Sequence, residues 1–192
     1  MSDASERRRS FRINDHISLE VEPLNDDSTV QDWRAHFDEE RERLALANDY
    51  LLLKDQFLPR LAAVQSHHPD VAAYLRHLEQ KIDRLAGIVQ QRELGLPLRP
   101  THEANLSATG IRFVHEAPLE QGSHVGLRIV LYPELAVIPA LGRVVWCRPA
   151  EDGRHEVAID FEHIDPRDAD LLARHNVRTQ MRSIRRPPDE DE

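Results

Sequence analysis

Apolar and polar positions follow three different rhythms along the chain. Ile17-Ser18-Leu19-Glu20-Val21-Glu22 alternates strictly, the period-two pattern of a half-buried strand. From about Asn25 to Leu96 the period lengthens. Val30, Phe37, Leu44, Leu51 and Leu58 recur every seven residues, with a mixed companion row of Trp33, Glu40, Ala47 and Lys54. Ser28 or Asp27 can cap this first helix, and Pro59 is expected to end or kink it. Ser66-His67-His68-Pro69-Asp70 reads as a loop that sets Pro69 in the first turn of a second helix. There Val71, Leu75, Leu78, Ile82, Leu85 and Val89 step by four and three alternately, until Gly95-Leu96-Pro97 stops the stripe. The two segments predict a helical hairpin with arms on the order of 35–45 Å, at ~1.5 Å per residue.

Beyond Thr101 the rhythm shortens again. Gly110–Val114, Val125–Leu131, Gly142–Cys147 and His155–Phe161 are β-branched or apolar runs separated by turn residues, which predicts a small antiparallel sheet or barrel. Asp165 then caps a closing helix with Pro166 in its first turn and Leu171 and Leu172 on its inner face. Because the helical block stands between the first strand and the others, that strand must pair across it, which makes the hairpin an insertion. The expected organisation is an arginine-rich arm over 1–12, a β domain over 13–24 and 101–178, a hairpin over 25–100 and a charged tail over 179–192.

Length, composition and charge narrow the function classes. At 192 residues there is room for one core and an appendage, and 40% apolar against 31% charged residues still permits that core. A formal net charge of -9 argues against a DNA- or RNA-coating protein, although a few local arginines suffice for a small anion. Cys147 is the single cysteine, so no internal disulfide and no CxxC knuckle is available, and beside Trp146 it reads as a packed thiol. No run is apolar enough to span a bilayer, and MSDASERRRSFR lacks the apolar stretch of a signal peptide, so a cytoplasmic protein is expected. Eleven histidines include His67-His68 but form no HExxH, and no metal site is expected. With no P-loop, no GxSxG and no activated nucleophile, no catalytic residue is nominated and no enzyme is expected.

Two clusters carry candidate chemistry. Arg7-Arg8-Arg9-Ser10-Phe11-Arg12 precedes the first strand, and Asn105-Leu106-Ser107-Ala108-Thr109-Gly110 lies at a strand junction. Arginine presents a planar fork that matches phosphate oxygens or the O6/N7 edge of guanine, and it also stacks on flat bases. Asn105 and Ser107, two apart on a strand, point to one side and supply donors and acceptors. Gly110 allows a backbone approach that a side chain would block. Each cluster by itself also fits a solvated arm or a plain turn.

Together, Arg8-x-x-x-Arg12 followed by Asn105-x-Ser107-x-x-Gly110 resembles the PilZ domain family. The similarity continues through Gly110–Phe113, Gly142–Trp146, Val157–Phe161 and the Leu171/Leu172 helix, and leaves out only the hairpin and tails. The resemblance implies a six-stranded antiparallel β-barrel with a C-terminal helix that binds cyclic di-GMP, a bacterial second messenger. It further implies that Arg8 and Arg12 grip phosphate and guanine, with Arg7 as an additional arginine, and that Asn105, Ser107 and Gly110 form the barrel-side cradle. Trp146 is more simply a core residue, but a place at the barrel rim would let it stack on guanine.

The hairpin is the departure from that family. Two roles stand open for it: packing on its own barrel, or self-association into a dimer or tetramer. Nine acids against four bases between Asn25 and Leu58 disfavour parallel pairing of two first helices, whereas the second helix carries four of each sign and is the better interface. The alternative to a nucleotide receptor is therefore an oligomeric protein–protein adaptor working through the hairpin. On either reading a downstream protein effector is expected, and no DNA.

Overall fold

The computed structural model describes residues 12–24, 26–97 and 99–185. Six strands close into an antiparallel barrel in the order β1-β2-β3-β6-β5-β4. They are β1 (Ile13–Leu24), β2 (His102–Ser107), β3 (Gly110–His115), β4 (His124–Leu131), β5 (Ala136–Pro149) and β6 (His155–His163). Between β1 and β2 stand the helices α1 (Asp27–His67) and α2 (Pro69–Leu94), and α3 (Pro166–Arg185) follows β6.

Closure depends on the two longest strands, each of which serves two neighbours. The first half of β1 pairs with β2, from Ile13 opposite Leu106 to Ile17 opposite His102, and its second half pairs with β4. Likewise β5 pairs with β4 through its first half and with β6 through its second, with register shifts at Leu141/Gly142 and Val144/Trp146. Ile17, Leu106, Ile111, Ile129, Ile138 and Ile159 are fully buried inside, and Leu171 and Leu172 of α3 join the same core. So the strand before the hairpin does pair with strands after it, and the hairpin is an insertion in the barrel.

The helices depart from expectation in four respects. The N-cap is Asp26, whose side chain accepts the Thr29 amide while the Thr29 hydroxyl accepts the Asp26 amide, so neither Asp27 nor Ser28 caps the helix. α1 also continues through Pro59 to His67, which makes it about 60 Å long at ~1.5 Å per residue. Pro59 removes one backbone donor, but it is exposed, and the turns on either side carry the helix past it. The expected loop contracts to His68 alone, with Pro69 opening α2 and a left-handed Gly95 closing it. At the other end α3 runs on to Arg185, so 179–185 are helix rather than tail, while 186–192 lie outside the described residues. Asp165 caps α3 as expected, accepting the Arg167 amide at 2.9 Å.

The hairpin divides its faces between two tasks. The beginning of α1 docks on the barrel. Val30 and Phe37 of the expected heptad row are buried, the Trp33 ring lies 5.1 Å from Phe37, and Phe37 meets His163 edge-on at 5.4 Å. The side chains of Leu44, Leu51 and Leu58 in that row lie outside the described ones. α2 meets α1 through Arg76, which donates from Nη1 to Gln65 Oε1 at 2.6 Å, and through Leu75 and Glu79, which share a groove with Phe57 and Leu61; Ala72 of α2 is fully buried. The α2 stripe from Val71 to Val89 turns outward, with Leu85 64% and Val89 58% exposed.

Gly126 is the seat for α1. A Cβ there would overlap the Trp33 indole, because the ring lies directly on the β4 backbone. Gly126→Val is expected to expel Trp33 and loosen α1 at a cost of about 1–3 kcal/mol, the usual range for overpacking. Trp33 fluorescence shifted to the red, with the barrel strands still protected in hydrogen exchange, is the expected signature. An unchanged spectrum would show that α1 docks without this contact.

Candidate nucleotide site on the barrel surface

Pairing of the strands brings the second sequence cluster beside the end of the first. Arg12 is exposed just ahead of β1 and donates from Nη1 to Asn105 Oδ1 at 3.4 Å. Asn105 in turn donates from Nδ2 to Asn14 Oδ1 at 2.7 Å. Arg7 and Arg8 lie outside the described residues. The arginine two residues before Asn14 thus sits over the asparagine that opens the Asn-x-Ser-x-x-Gly segment.

Register extends this contact into a row across five strands. Asn14 is opposite Asn105, Asn105 opposite Arg112, Arg112 opposite Ala158, and Ala158 opposite Trp146. None of the five is buried, whereas their strand neighbours Ile13, Leu106, Ile111 and Val157 fill the core. Four strand spacings of ~4.8 Å put Asn14 and Trp146 about 19 Å apart along the row. Trp146 is half-buried on this outer surface and not in the core, with the Arg148 guanidinium 4.7 Å from its ring centroid. Arg112 pairs with Glu156 at 3.4 Å. Cys147, partly buried, packs on the core beneath, and its sulfur accepts the Leu119 amide at 3.4 Å.

Ser107 and Gly110 sit differently from Asn105. Ser107 is fully buried; its hydroxyl donates to the Gly110 carbonyl at 3.1 Å and accepts the Thr109 amide at 3.3 Å. Its oxygen therefore shapes the β2–β3 turn. Gly110 is required by close approach, because a Cβ there would overlap the Ile159 carbonyl of β6. The Thr109 carbonyl receives the Phe161 amide at 2.9 Å, which ties the turn to β6. The segment thus combines one accessible amide, Asn105, with a rigid turn that holds it in place.

Sequence reasoning missed Asn14, Arg112, Ala158 and Arg148. Their alternation with buried neighbours is visible in the sequence, but only the pairing register places them beside Asn105 and Trp146.

On the inward face of β1, Asp15 meets the closing helix. His175 of α3 is buried and holds Asp15 Oδ2 from Nε2 at 2.5 Å, with Glu134 Oε2 3.6 Å from Nδ1. Arg182 approaches the same Glu134 at 3.2 Å and Arg178 at 3.7 Å. Burial alone pulls the His175 pKa down, but the bonds to Asp15 and then Glu134 more than reverse this and raise it above the ordinary value. Burial pushes Glu134 up, yet the His175 bond, its own backbone and Arg182 bring it to about 2.

The signs set two pH windows. A raised histidine pKa contributes stability that is complete below the unfolded value and lost as pH climbs through the folded one. A depressed carboxylate contributes above its unfolded value and loses this as pH falls towards about 2. The melting temperature is expected to decline above neutral pH in the natural protein and to decline less in His175→Gln, where that titration is gone. Equal declines in the two would refute a stabilising role for the His175 contacts with Asp15 and Glu134.

Among the described residues no group of three or more His, Cys, Asp or Glu side chains is placed to hold a metal ion. Among them, too, no helix is long and apolar enough to cross a membrane.

Comparison with known proteins agrees with the barrel. Residues 84–177 match the family model of the PilZ domain, a range that takes in the end of α2, all of β2 to β6 and the larger part of α3. A solved structure similar over nearly the whole length is a pathogenic protein from Xanthomonas campestris, described as a tetrameric PilZ domain self-assembled through an unusual helical bundle. It is 14% identical, with 92% of this chain and 91% of that chain covered and a TM-score of 0.53. The Bacillus subtilis inhibitor of motility, MotI/DgrA, is 21% identical over 44% of this chain and 43% of that one, with a TM-score of 0.38. No curated protein matches the sequence.

Proposed function

Because the chain carries a PilZ domain, interrupted by a helical hairpin after its first strand, we propose that it is a non-enzymatic, cytoplasmic receptor for cyclic di-GMP. The observation that carries this reading is the meeting of Arg12 with Asn105 at the head of a row ending in Trp146. Arg12 offers its fork to a phosphate or to the O6/N7 edge of a guanine, with Arg8 and Arg7 as the further grips of the arm. Asn105 supplies both an acceptor and a donor to the nucleotide. Ser107 and Gly110 act through the turn that holds Asn105. Trp146 and the Arg148 above it are the surface on which a purine stacks. Asparagine at 105 also keeps a carboxylate away from a dianionic ligand.

Closure of Arg12 over the ligand changes the surface at the start of β1, and that change is what a downstream protein reads. Titration calorimetry with cyclic di-GMP tests the reading, with GTP and cyclic di-AMP as controls. Selective binding at micromolar affinity or tighter is expected; absence of heat at two temperatures would refute it.

The hairpin supports a second activity in the same molecule. Val71, Leu75, Leu78, Ile82, Leu85 and Val89 form an exposed heptad stripe, and the Xanthomonas protein of similar fold assembles through a helical bundle. Self-association through α2 into a dimer or tetramer covers that stripe. Should cyclic di-GMP not bind, the adaptor role of this surface is the function that remains.

A further inference from the structure

The buried face of α3 is divided chemically. Leu171 and Leu172 enter the barrel core, while Asp168, His175 and Asn176, also buried, are polar. Two of these three polar groups bond to elements with separate tasks. His175 holds Asp15, the neighbour of Asn14 on the strand that Arg12 immediately precedes. Asp168 accepts from Asn48 Nδ2 of α1 at 2.9 Å, and the same amide donates to the Val137 carbonyl of β5 at 3.0 Å. Asn48 is itself buried. The end of β1 beside Arg12 is therefore joined to the hairpin through α3 by directional bonds between buried polar groups.

Apolar contacts of similar volume would hold these elements at least as firmly, since burying polar groups gains little net stability. What directional bonds add is position. A fully bonded buried polar pair rigidifies its surroundings and fixes the relative position of the two groups that it joins. His175 is held further by Glu134, which Arg178 and Arg182 flank, so a displacement of Asp15 moves the helix and not a free side chain. Arg12 closing over a ligand pulls on β1 three residues from Asp15.

We infer that α3 is the relay between the nucleotide site and the hairpin, with His175–Asp15 as its input and Asp168–Asn48 as its output. This rests on the receptor reading above, and His175 and Asn48 are positioning residues that do not touch ligand. By reciprocity, whatever the ligand does to α1, the state of α1 does to ligand affinity.

Hydrogen exchange on the full-length protein with and without saturating cyclic di-GMP tests it. In the natural protein the ligand is expected to change exchange in α3 and in α1 around Asn48. In Asn48→Ala the change in α3 persists, the change in α1 disappears, and affinity shifts on the order of fivefold. In His175→Gln both remote changes disappear, with melting curves confirming that the variants are folded. If the natural protein binds and exchange changes only in the barrel, the relay is wrong and the receptor reading stands. Variants that transmit as the natural protein does would also overturn it. If the natural protein fails to bind, the receptor reading falls, and the relay with it.

Discussion

Replacing Arg12 with alanine is expected to abolish tight binding of cyclic di-GMP and to leave the melting temperature unchanged. Arg12 is exposed, and the bond that it makes, to Asn105 at 3.4 Å, is long, so the folded chain loses little without it. The ligand loses far more. Truncating one partner of a charge-assisted pair at an interface costs about 2–5 kcal/mol, and this converts to roughly thirtyfold to a few thousandfold in Kd. Arg12→Lys separates charge from geometry: a lysine keeps the positive charge but cannot form the bidentate fork, and is expected to recover only a fraction of the affinity. The same loss is expected for Arg8→Ala. Calorimetry measures both, and an unchanged affinity in Arg12→Ala would remove that residue from the site. Gly110→Ala is a poor substitute for these variants, because its methyl group would strike the Ile159 carbonyl and damage the barrel whether or not ligand is bound.

The second large effect concerns assembly. The natural protein is expected to be a dimer or tetramer by light scattering, and Leu78→Glu with Ile82→Glu to give smaller species. Both side chains already face outward in the single chain, 37% and 52% exposed, so glutamate there places no charge in the core of one protomer. In an assembly built on α2 each chain instead brings two carboxylates into a seam of leucine, isoleucine and valine, where an unpaired charge costs several kcal/mol. Dissociation with an unchanged melting curve for the barrel is the expected pair of results. A natural protein that is monomeric would refute self-association through this face. The second helix is near neutral and its stripe apolar, whereas the first helix carries an excess of acids, and this is why α2 and not α1 is the expected surface for a second copy.

Much of the architecture was legible in the sequence because the two periods it uses, two and about three and a half, are properties of local backbone geometry. The alternation at Ile17–Glu22, the stripe from Val71 to Val89 and the Asp165-Pro166 start of the last helix each identify an element from a few residues. The insertion was legible too, since a strand cut off from its partners by helices must pair across them. Element ends were less so. Asp26 caps α1 through a reciprocal bond with Thr29, and Pro59 lies inside a helix whose neighbouring turns outweigh one missing donor.

What the sequence determined by itself was therefore the set of elements, the apolar stripe of α2 and the two motifs whose order points to a PilZ domain; that the stripe faces outward was decided by the tertiary structure. Tertiary structure alone decided which residues meet. Register across β1, β2, β3, β6 and β5 aligns Asn14, Asn105, Arg112, Ala158 and Trp146 in one row, and no spacing along the chain encodes that. It also turned Ser107 into the turn, seated Trp33 on Gly126 and joined Asp15 to His175 and Asn48 to Asp168. The physical reason is the range of the interactions. Periodicity and capping act between residues a few positions apart, whereas these bonds link residues far apart in sequence and come into being only when the barrel closes.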